Sequence, residues 1–223
     1  MIYGIQAAQP DSGGAGGDPY SDAVAVADFL SGIYRIDGVS VSAASMIANP
    51  EFIDGSGLYI NWDVSGAYTW AIGDFLINLT TTDWTIVLEV TEDDVGTMHP
   101  LTMADENTGG TDLDSLIVST AASSVSCTDD PDPGASRFVS VGSVAARPAV
   151  RRIAATRTNA KLVISVNGSA INSDATATST PSYNRVLLGA DDGDTFPFMK
   201  GHIRRIIVYP VQADAALPAL STP

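Results

Sequence analysis

Short runs of alternating apolar and polar residues, separated by turn residues, make up most of this chain. In the clearest run, Trp84–Val90, every second residue is large and apolar, which predicts a strand because successive side chains of a strand point to opposite faces. Asp37-Gly38 and Asn167-Gly168 are dipeptides that favour tight hairpin turns. Two strands are predicted around the first turn, and others at 58–62, 65–72, 113–119, 138–144, 151–156, 161–166, 185–189 and 201–209.

No long stretch repeats its apolar residues at helical spacing, and only 212–220 is predicted to form a short helical turn. Roughly ten short strands without a long amphipathic helix are typical of a β-sandwich or jelly roll. The composition agrees, since 22 Asp stand against only 4 Glu, and Asp favours turns over helix interiors. The fold class predicted is all-β, with two antiparallel sheets.

The segment from Gln9 to Pro19 contains four glycines and two prolines. Such a composition predicts a flexible linker rather than part of a core. The sequence therefore predicts an N-terminal arm over residues 1–22 and a jelly-roll domain over 23–223. The short apolar group ahead of the linker is a candidate attachment point for a partner protein, and it consists of Met1, Ile2, Tyr3 and Ile5.

The chain is strongly acidic, with 11 Lys and Arg against 26 Asp and Glu and a net charge of −15. This balance argues against nucleic-acid binding, which needs a surplus of basic residues to displace counterions. No apolar run approaches the roughly 18 residues of a membrane span, so no membrane insertion is expected, and the first residues do not predict a secretory signal. A single cysteine, Cys127, excludes an internal disulfide framework.

Four stretches of the C-terminal third resemble, in order, motifs of the concanavalin A-like lectin/glucanase domains of laminin-G-like type. The strand motif is Arg151–Arg157, the hairpin is Lys161–Gly168, Leu187–Gly189 precedes a loop, and Phe198–Pro210 resembles the closing strand. The resemblance implies a concanavalin A-like jelly-roll sandwich of two antiparallel sheets.

Within this group, Gly201–Pro210 and the opening phrase Asp28–Val39 are similar to virion proteins of tailed bacteriophages. The chain departs from them after the opening strands and in its tail. The resemblance implies a non-enzymatic structural protein on the virion, as a capsid decoration protein or head fibre attached through its arm. Its partners would be the major capsid protein or other virion proteins, and it would form a homo-oligomer. A tail or fibre location is the alternative.

The alternative function is a glycan-binding, lectin-like receptor-binding module that contacts a cell-surface glycan. Trp62, Tyr68 and Trp70 could stack on sugar rings if their side chains are exposed, although such residues more often belong to a core. A glycosidase would need paired carboxylates on one face of a strand. Glu89 and Glu92 are three residues apart and are expected on opposite faces, so no enzyme activity is predicted.

No cofactor is predicted, with the exception of a candidate Ca²⁺ site at Asp191, Asp192 and Asp194, where closely spaced carboxylates offer hard oxygen ligands. A solvated acidic turn is the alternative interpretation. Residues 128–135, which include Asp129, are predicted to form an exposed acidic loop. His99, in a predicted loop before Pro100, and His202, in a predicted strand, are too isolated to predict a metal site and are expected to be ordinary surface or edge residues.

The pairs Arg151-Arg152 and Arg204-Arg205 contain four of only nine arginines. Because each pair lies in a predicted strand, one arginine of each is expected to face inward or towards an edge. One interpretation is ion pairing with the abundant aspartates. The other is an interface with a neighbouring subunit or the capsid, where the planar guanidinium pairs well with carboxylates.

Overall fold

Two antiparallel β-sheets pack face to face in the computed structural model, which describes residues 18–62, 68–69, 71–73, 75–76, 83–93, 97–105, 115–131, 135–144, 149–190 and 199–223. Strands are numbered in chain order. The large sheet contains β1 (Ala25–Asp28), β2 (Ile33–Ile36), β3 (Val39–Ser40), β4 (Ile53–Asp54), β5 (Gly57–Trp62), β6 (Tyr68–Thr69), β8 (Trp84–Glu92), β13 (Arg151–Thr158), β14 (Lys161–Val166), β15 (Asn172–Asp174) and β17 (Gly201–Tyr209). The small sheet contains β7 (Ala71–Ile72), β9 (Met98–Ala104), β10 (Ser115–Thr120), β11 (Ser124–Asp130), β12 (Arg137–Gly142) and β16 (Arg185–Leu188).

Strand order brings distant parts of the sequence together at the centre of each sheet. The main path of the large sheet runs β15-β14-β13-β8-β17-β1-β2-β3, and β5 joins β17, β4 and β6 beside it. The small sheet runs β12-β11-β10-β9-β16-β7. The predicted all-β sandwich of two antiparallel sheets is thereby confirmed. Helical structure is short: single 3₁₀ turns at Ala43–Ser45, Pro50–Phe52 and Asp214–Ala216, and the helix α1 (Leu217–Leu220).

The main core lies between the sheets, and a second apolar cluster lies on the outer face of the large sheet. The alternation in β8 explains both: Ile86 and Leu88 belong to the main core, whereas Val87 belongs to the outer cluster. Tyr20 near the start of the described chain and Leu217 in α1 also pack in the outer cluster. Among the described residues no helix is both long and apolar enough to cross a membrane.

Both predicted hairpin turns are confirmed. Asp37 and Gly38 have φ of 50° and 75° and join β2 to β3, and Asn167 and Gly168 have φ of 50° and 74° after β14. These left-handed conformations are those that an Asp-Gly or Asn-Gly turn supplies. The Asn167 side chain also accepts a hydrogen bond from the backbone N–H of Arg152 at 2.8 Å.

Two segments that the sequence places in loops are strands instead. Residues 128–130 belong to β11, and Asp129 is fully buried rather than exposed. His99 and Pro100 lie in β9. Proline lacks the N–H that a central strand donates, but the β9–β10 register shifts between Val118 and Thr120, opposite this segment. The β-bulge accommodates the proline.

Buried arginines connect the two sheets at two places. Asp129 of β11 pairs with Arg137 of β12 and, at 3.4 Å, with Arg157 of β13, and it accepts a hydrogen bond of 2.9 Å from Tyr183. Burial, and then the nearby Asp129 carboxylate, raises the pKa of Tyr183 well above its usual value. At the second place, Arg151 of β13 pairs with Glu92 of β8 within the large sheet and donates to the Ala121 and Ala122 carbonyls that follow β10 of the small sheet.

Candidate functional site

A β-bulge places two adjacent arginines on the same side of the large sheet. Ile203 lies opposite Val90 and Arg205 lies opposite Glu89, so Arg204 is an extra residue in β17. An extra residue interrupts the alternation of side chains, and Arg204 and Arg205 are both partly exposed on the outer face. The expectation that one arginine of this pair faces inward or towards an edge is therefore wrong, because it assumed an unbroken strand and β17 lies between β8 and β1.

Glu89 is the centre of a cluster of ion pairs on this face. Its carboxylate lies 3.1 Å from Arg204 Nη1, 3.0 Å from Arg205 Nη1 and 3.8 Å from Arg152 Nη1. Arg152 lies on β13, and Arg204 and Arg205 lie on β17. Glu89 lies on β8, which is between these two strands. We call these four residues the arginine cluster.

Asp28 extends the arginine cluster towards the N-terminal segment. Its carboxylate accepts hydrogen bonds from Arg205 Nε at 3.1 Å and from the Tyr20 hydroxyl at 2.7 Å. Burial alone would raise the pKa of Asp28, but the hydrogen bonds from Tyr20 and the Ser31 N–H, together with Arg205, hold it below its usual value. Burial and the same hydrogen bond raise the pKa of Tyr20. Asp28 is therefore ionised at neutral pH.

A cavity of about 380 Å³ opens next to the arginine cluster on the outer face of the large sheet. We call it the outer-face cavity. Its lining combines an apolar side chain, hydroxyl groups, an imidazole and a guanidinium, from Leu30, Gly55, Ser56, Thr91, His202 and Arg204. Four separate parts of the sequence supply these residues, so no local motif encodes the cavity.

His202 is held in place at the side of the outer-face cavity. Its Nε2 lies 3.1 Å from Asp54 Oδ2, and its ring lies against Tyr59 with the centroids 5.1 Å apart. The Ser56 N–H donates to Asp54 Oδ1 at 2.6 Å. This backbone hydrogen bond, with the smaller contribution of His202, holds the pKa of Asp54 below its usual value. The sequence predicted only an ordinary surface role for His202, because Asp54 and Tyr59 are far away in the chain.

The four predicted arginines do not share one environment. Arg152, Arg204 and Arg205 lie in the arginine cluster, whereas Arg151 is fully buried beside Glu92, at 3.3 Å, and donates to the carbonyl of Ala122 at 2.8 Å. Arg151 therefore has no surface with which to contact a partner. Glu89 and Glu92 lie on opposite sides of β8, as the alternation predicts, and do not form a carboxylate pair.

The remaining predicted site residues fall where the structure gives no description of their side chains. They are Met1, Ile2, Tyr3 and Ile5 of the arm, Trp62, Tyr68 and Trp70 of the aromatic group, and Asp191, Asp192 and Asp194 of the calcium site. Within the described ranges, no group of three or more His, Cys, Asp or Glu is arranged to hold a metal ion.

Solved structures of similar architecture include a carbohydrate-binding domain and two sialidases. The CBM40 domain of the Ruminococcus gnavus IT-sialidase, bound to α2,3-sialyllactose, superposes with a TM-score of 0.55 at 17% identity, over 65% of this chain and 84% of that one. The Trypanosoma rangeli sialidase gives a TM-score of 0.58 at 16% identity over 92% of this chain and 33% of its own. The NanB sialidase of Streptococcus pneumoniae gives 0.57 at 15%, over 75% of this chain and 27% of its own.

No known family model matches the sequence, and no curated protein sequence is significantly similar to it. Because the structural matches are below 20% identity, they establish a fold and not a shared function. That fold is the concanavalin A-like jelly roll.

Proposed function

We propose that this chain is a non-enzymatic glycan-binding module whose ligand occupies the outer-face cavity. The observation that carries the proposal is the cavity itself, with hydroxyl, imidazole and guanidinium groups beside an apolar side chain. Sugars present both hydroxyl groups and apolar ring faces, and binding sites combine a few convergent polar groups with apolar surface. Support comes from the shared fold with a CBM40 domain that binds sialyllactose.

The carboxylates near the cavity support a binding role rather than catalysis. Glycoside hydrolysis commonly uses two carboxyl groups facing one bond, one of them protonated. Glu89 is nearly buried and shared by three arginines, and Asp28 has a lowered pKa. Asp28 is therefore not suited to donate a proton at neutral pH, and the Glu89 carboxylate is already occupied by three guanidinium groups.

A glycan array probed with the full chain, with and without Ca²⁺, tests the proposal. We expect selective binding to a subset of sugars and no release of reducing sugar from the bound glycans. Dependence on added Ca²⁺ would support the site predicted at Asp191, Asp192 and Asp194. Absence of binding to every glycan, at concentrations up to the millimolar range, would refute the glycan-binding proposal.

A structural role in a phage virion is the second candidate. It is favoured by a specific observation: the two stretches that resemble virion proteins, 28–39 and 201–210, meet in the large sheet where Asp28, the last residue of β1, lies opposite Arg205 of β17. In this proposal Met1, Ile2, Tyr3 and Ile5 attach the chain to the capsid, and Arg152, Arg204 and Arg205 contact a neighbouring subunit. A domain on the capsid surface could also bind a cell-surface glycan.

Cryo-electron microscopy of particles assembled with the full chain or with residues 1–17 deleted tests this second proposal. We expect density for the full chain on the capsid lattice and none for the truncated chain. Equal density for both would show that the arm is not the attachment point, and density only at the tail would favour the alternative location.

A further inference from the structure

We infer that the outer-face cavity selects a sugar that carries a carboxylate, and that Arg204 contacts this carboxylate. The inference rests on the proposed glycan-binding function and specifies its ligand class as a uronic or nonulosonic acid. It follows from the local charge, the position of Arg204 and the size of the cavity.

The arginine cluster and Asp28 together have one guanidinium group more than carboxylate groups. Arg152, Arg204 and Arg205 share Glu89 and Asp28 as their acceptors, which is three guanidinium groups for two carboxylates. This local excess contrasts with the net charge of −15 for the whole chain. An anionic group at this place gains a favourable interaction that it would not find on most of the surface.

Asp54 is a further carboxylate at the side of the cavity, and its oxygens already have partners. Oδ1 accepts from the Ser56 N–H and Oδ2 lies against His202. More than half of the Asp54 side chain is exposed to solvent, which weakens its repulsion of a ligand anion through screening. The repulsion from Asp54 is therefore weaker than that from a buried carboxylate would be.

Arg204 is the arginine of the cluster that lines the cavity. Arg205 already binds two carboxylates, Glu89 and Asp28. Among the described residues, the Arg204 side chain pairs with one carboxylate, Glu89, through Nη1. A guanidinium has five N–H donors in a planar fork that matches a carboxylate bidentately. Arg204 therefore retains donors for a ligand.

The other lining residues suit the neutral part of the same sugar. The Ser56 and Thr91 hydroxyls and the His202 ring can exchange hydrogen bonds with sugar hydroxyls, and Leu30 supplies an apolar surface. A volume of about 380 Å³ lies near the lower end of the range for small-molecule sites, about 300–1,000 Å³. The cavity therefore suits one sugar unit rather than a long segment of a glycan.

Calorimetric titration of the full chain with three probes tests the ligand class: 3′-sialyllactose, glucuronic acid and neutral lactose. Arg204→Gln removes the charge, and Gly55→Phe fills the cavity, since a side chain at Gly55 meets open space. Arg35→Gln is the matched control for charge, because Arg35 lies on the same sheet but outside the cavity lining. Gly142→Phe is the matched control for bulk, as it also meets open space, on the small sheet.

We expect one or both acidic sugars to bind at least tenfold more tightly than lactose, and the probe that binds identifies the source of the carboxylate. Arg204→Gln and Gly55→Phe should each weaken this binding about tenfold or more, whereas both controls should leave it unchanged. Circular dichroism melts of all four variants verify that they fold.

Equal affinity for lactose, or acidic-sugar binding that Arg204→Gln leaves unchanged, would overturn the inference while the glycan-binding function stands. Loss with Arg204→Gln but not with Gly55→Phe would place the ligand outside the cavity and also overturn it. If none of the three probes binds, the inference fails, and the glycan array then decides separately whether the proposed function fails with it.

Discussion

Asp129 supports two fully buried arginines, Arg137 and Arg157, that come from different sheets. A buried charge costs little only while it is paired and hydrogen-bonded. Removing one partner of a buried ion pair lowers the free energy of unfolding far more than removing an exposed ion pair does. The ionic contact between β11 and β13 therefore depends on a single aspartate, Asp129.

We predict that Asp129→Asn lowers the free energy of unfolding by about 3–5 kcal/mol, because it leaves the buried Arg137 without its counter-charge and Arg157 with only the half-exposed Asp83, 4.0 Å away. Urea unfolding followed by circular dichroism measures this loss. Asp130→Asn is the matched control, since Asp130 is adjacent but exposed, and it should change the value by about 0.5 kcal/mol or less. Similar losses in both variants would contradict the role assigned to Asp129.

Asp28 is predicted to make the fold less stable in acid. Its pKa in the folded chain lies below its usual value, near 3.9 in an unfolded chain. Its contribution is therefore complete above about pH 4 and is lost as the pH falls through the folded pKa. Asp28→Asn should be less stable than the natural chain at pH 7, with a gap that shrinks as the pH falls towards 3.

Urea midpoints from pH 7 to pH 3 measure this gap, with Asp22→Asn as the control for an exposed aspartate nearby. The control should follow the natural chain at every pH. A gap for Asp28→Asn that stays constant down to pH 3 would show that the carboxylate charge is not the cause.

Whole elements were more predictable than their irregularities. The alternation of β8 and the Asp37-Gly38 turn depend on residues that are close in sequence, so local patterns were sufficient to predict them. The two bulges were not predicted, because an extra residue opposite Glu89 or beside Pro100 is apparent only once the partner strand is known. The prediction of an exposed loop around Asp129 was wrong for the same reason, since the partners of Asp129 lie on three other segments.

Gly201 at the start of β17 is predicted to be intolerant of any side chain. Its φ is +143°, a region that other residues rarely adopt, and a Cβ would collide with the backbone of Thr91 and Glu92 in β8. We expect Gly201→Ala to cost about 2–4 kcal/mol of unfolding free energy. Gly142→Ala, where a Cβ meets open space, should be close to neutral in the same urea experiment, and equal effects would exclude this steric explanation.

The helix α1 is predicted to stabilise the large sheet by covering its outer cluster. Leu217 is fully buried there, and truncation of a buried leucine typically costs about 2–5 kcal/mol. Leu217→Ala should therefore lower the thermal midpoint clearly. Val211→Ala, at an exposed position shortly before α1, should have little effect, and a small change in both variants would mean that α1 adds little stability.

At the scale of the whole molecule, the candidate site exists only through topology. Arg152, Glu89 and Arg205 are far apart in the sequence, and the order β13-β8-β17 places them side by side. The arginines were predicted as candidate site residues because basic residues are rare in the sequence. Their common acceptor, Glu89, and the adjacent cavity could not be predicted in this way. Both ends of the described chain also reach this face, through Tyr20 and Leu217.

The boundary between arm and domain, predicted at residue 22, can be tested by two truncations. Asp18 pairs with Arg35, and Tyr20 packs on the outer cluster and donates to Asp28, so residues before the predicted boundary already contact the domain. We expect deletion of residues 1–17 to leave the unfolding free energy unchanged. Deletion of residues 1–22 should lower it by about 1–3 kcal/mol, because it leaves Asp28 without its hydroxyl donor and exposes part of the outer cluster.

Tyr20→Phe in the full chain separates the two causes, since it removes the hydroxyl and keeps the ring. It should reproduce only the part of the loss that comes from the hydrogen bond, about 1 kcal/mol. If both truncated chains are as stable as the full chain, the domain begins at residue 23 as the sequence predicts, and the contacts of Tyr20 add no stability. If only the longer truncation is destabilised, the domain begins by Asp18, and the arm that is free to reach a partner ends before it.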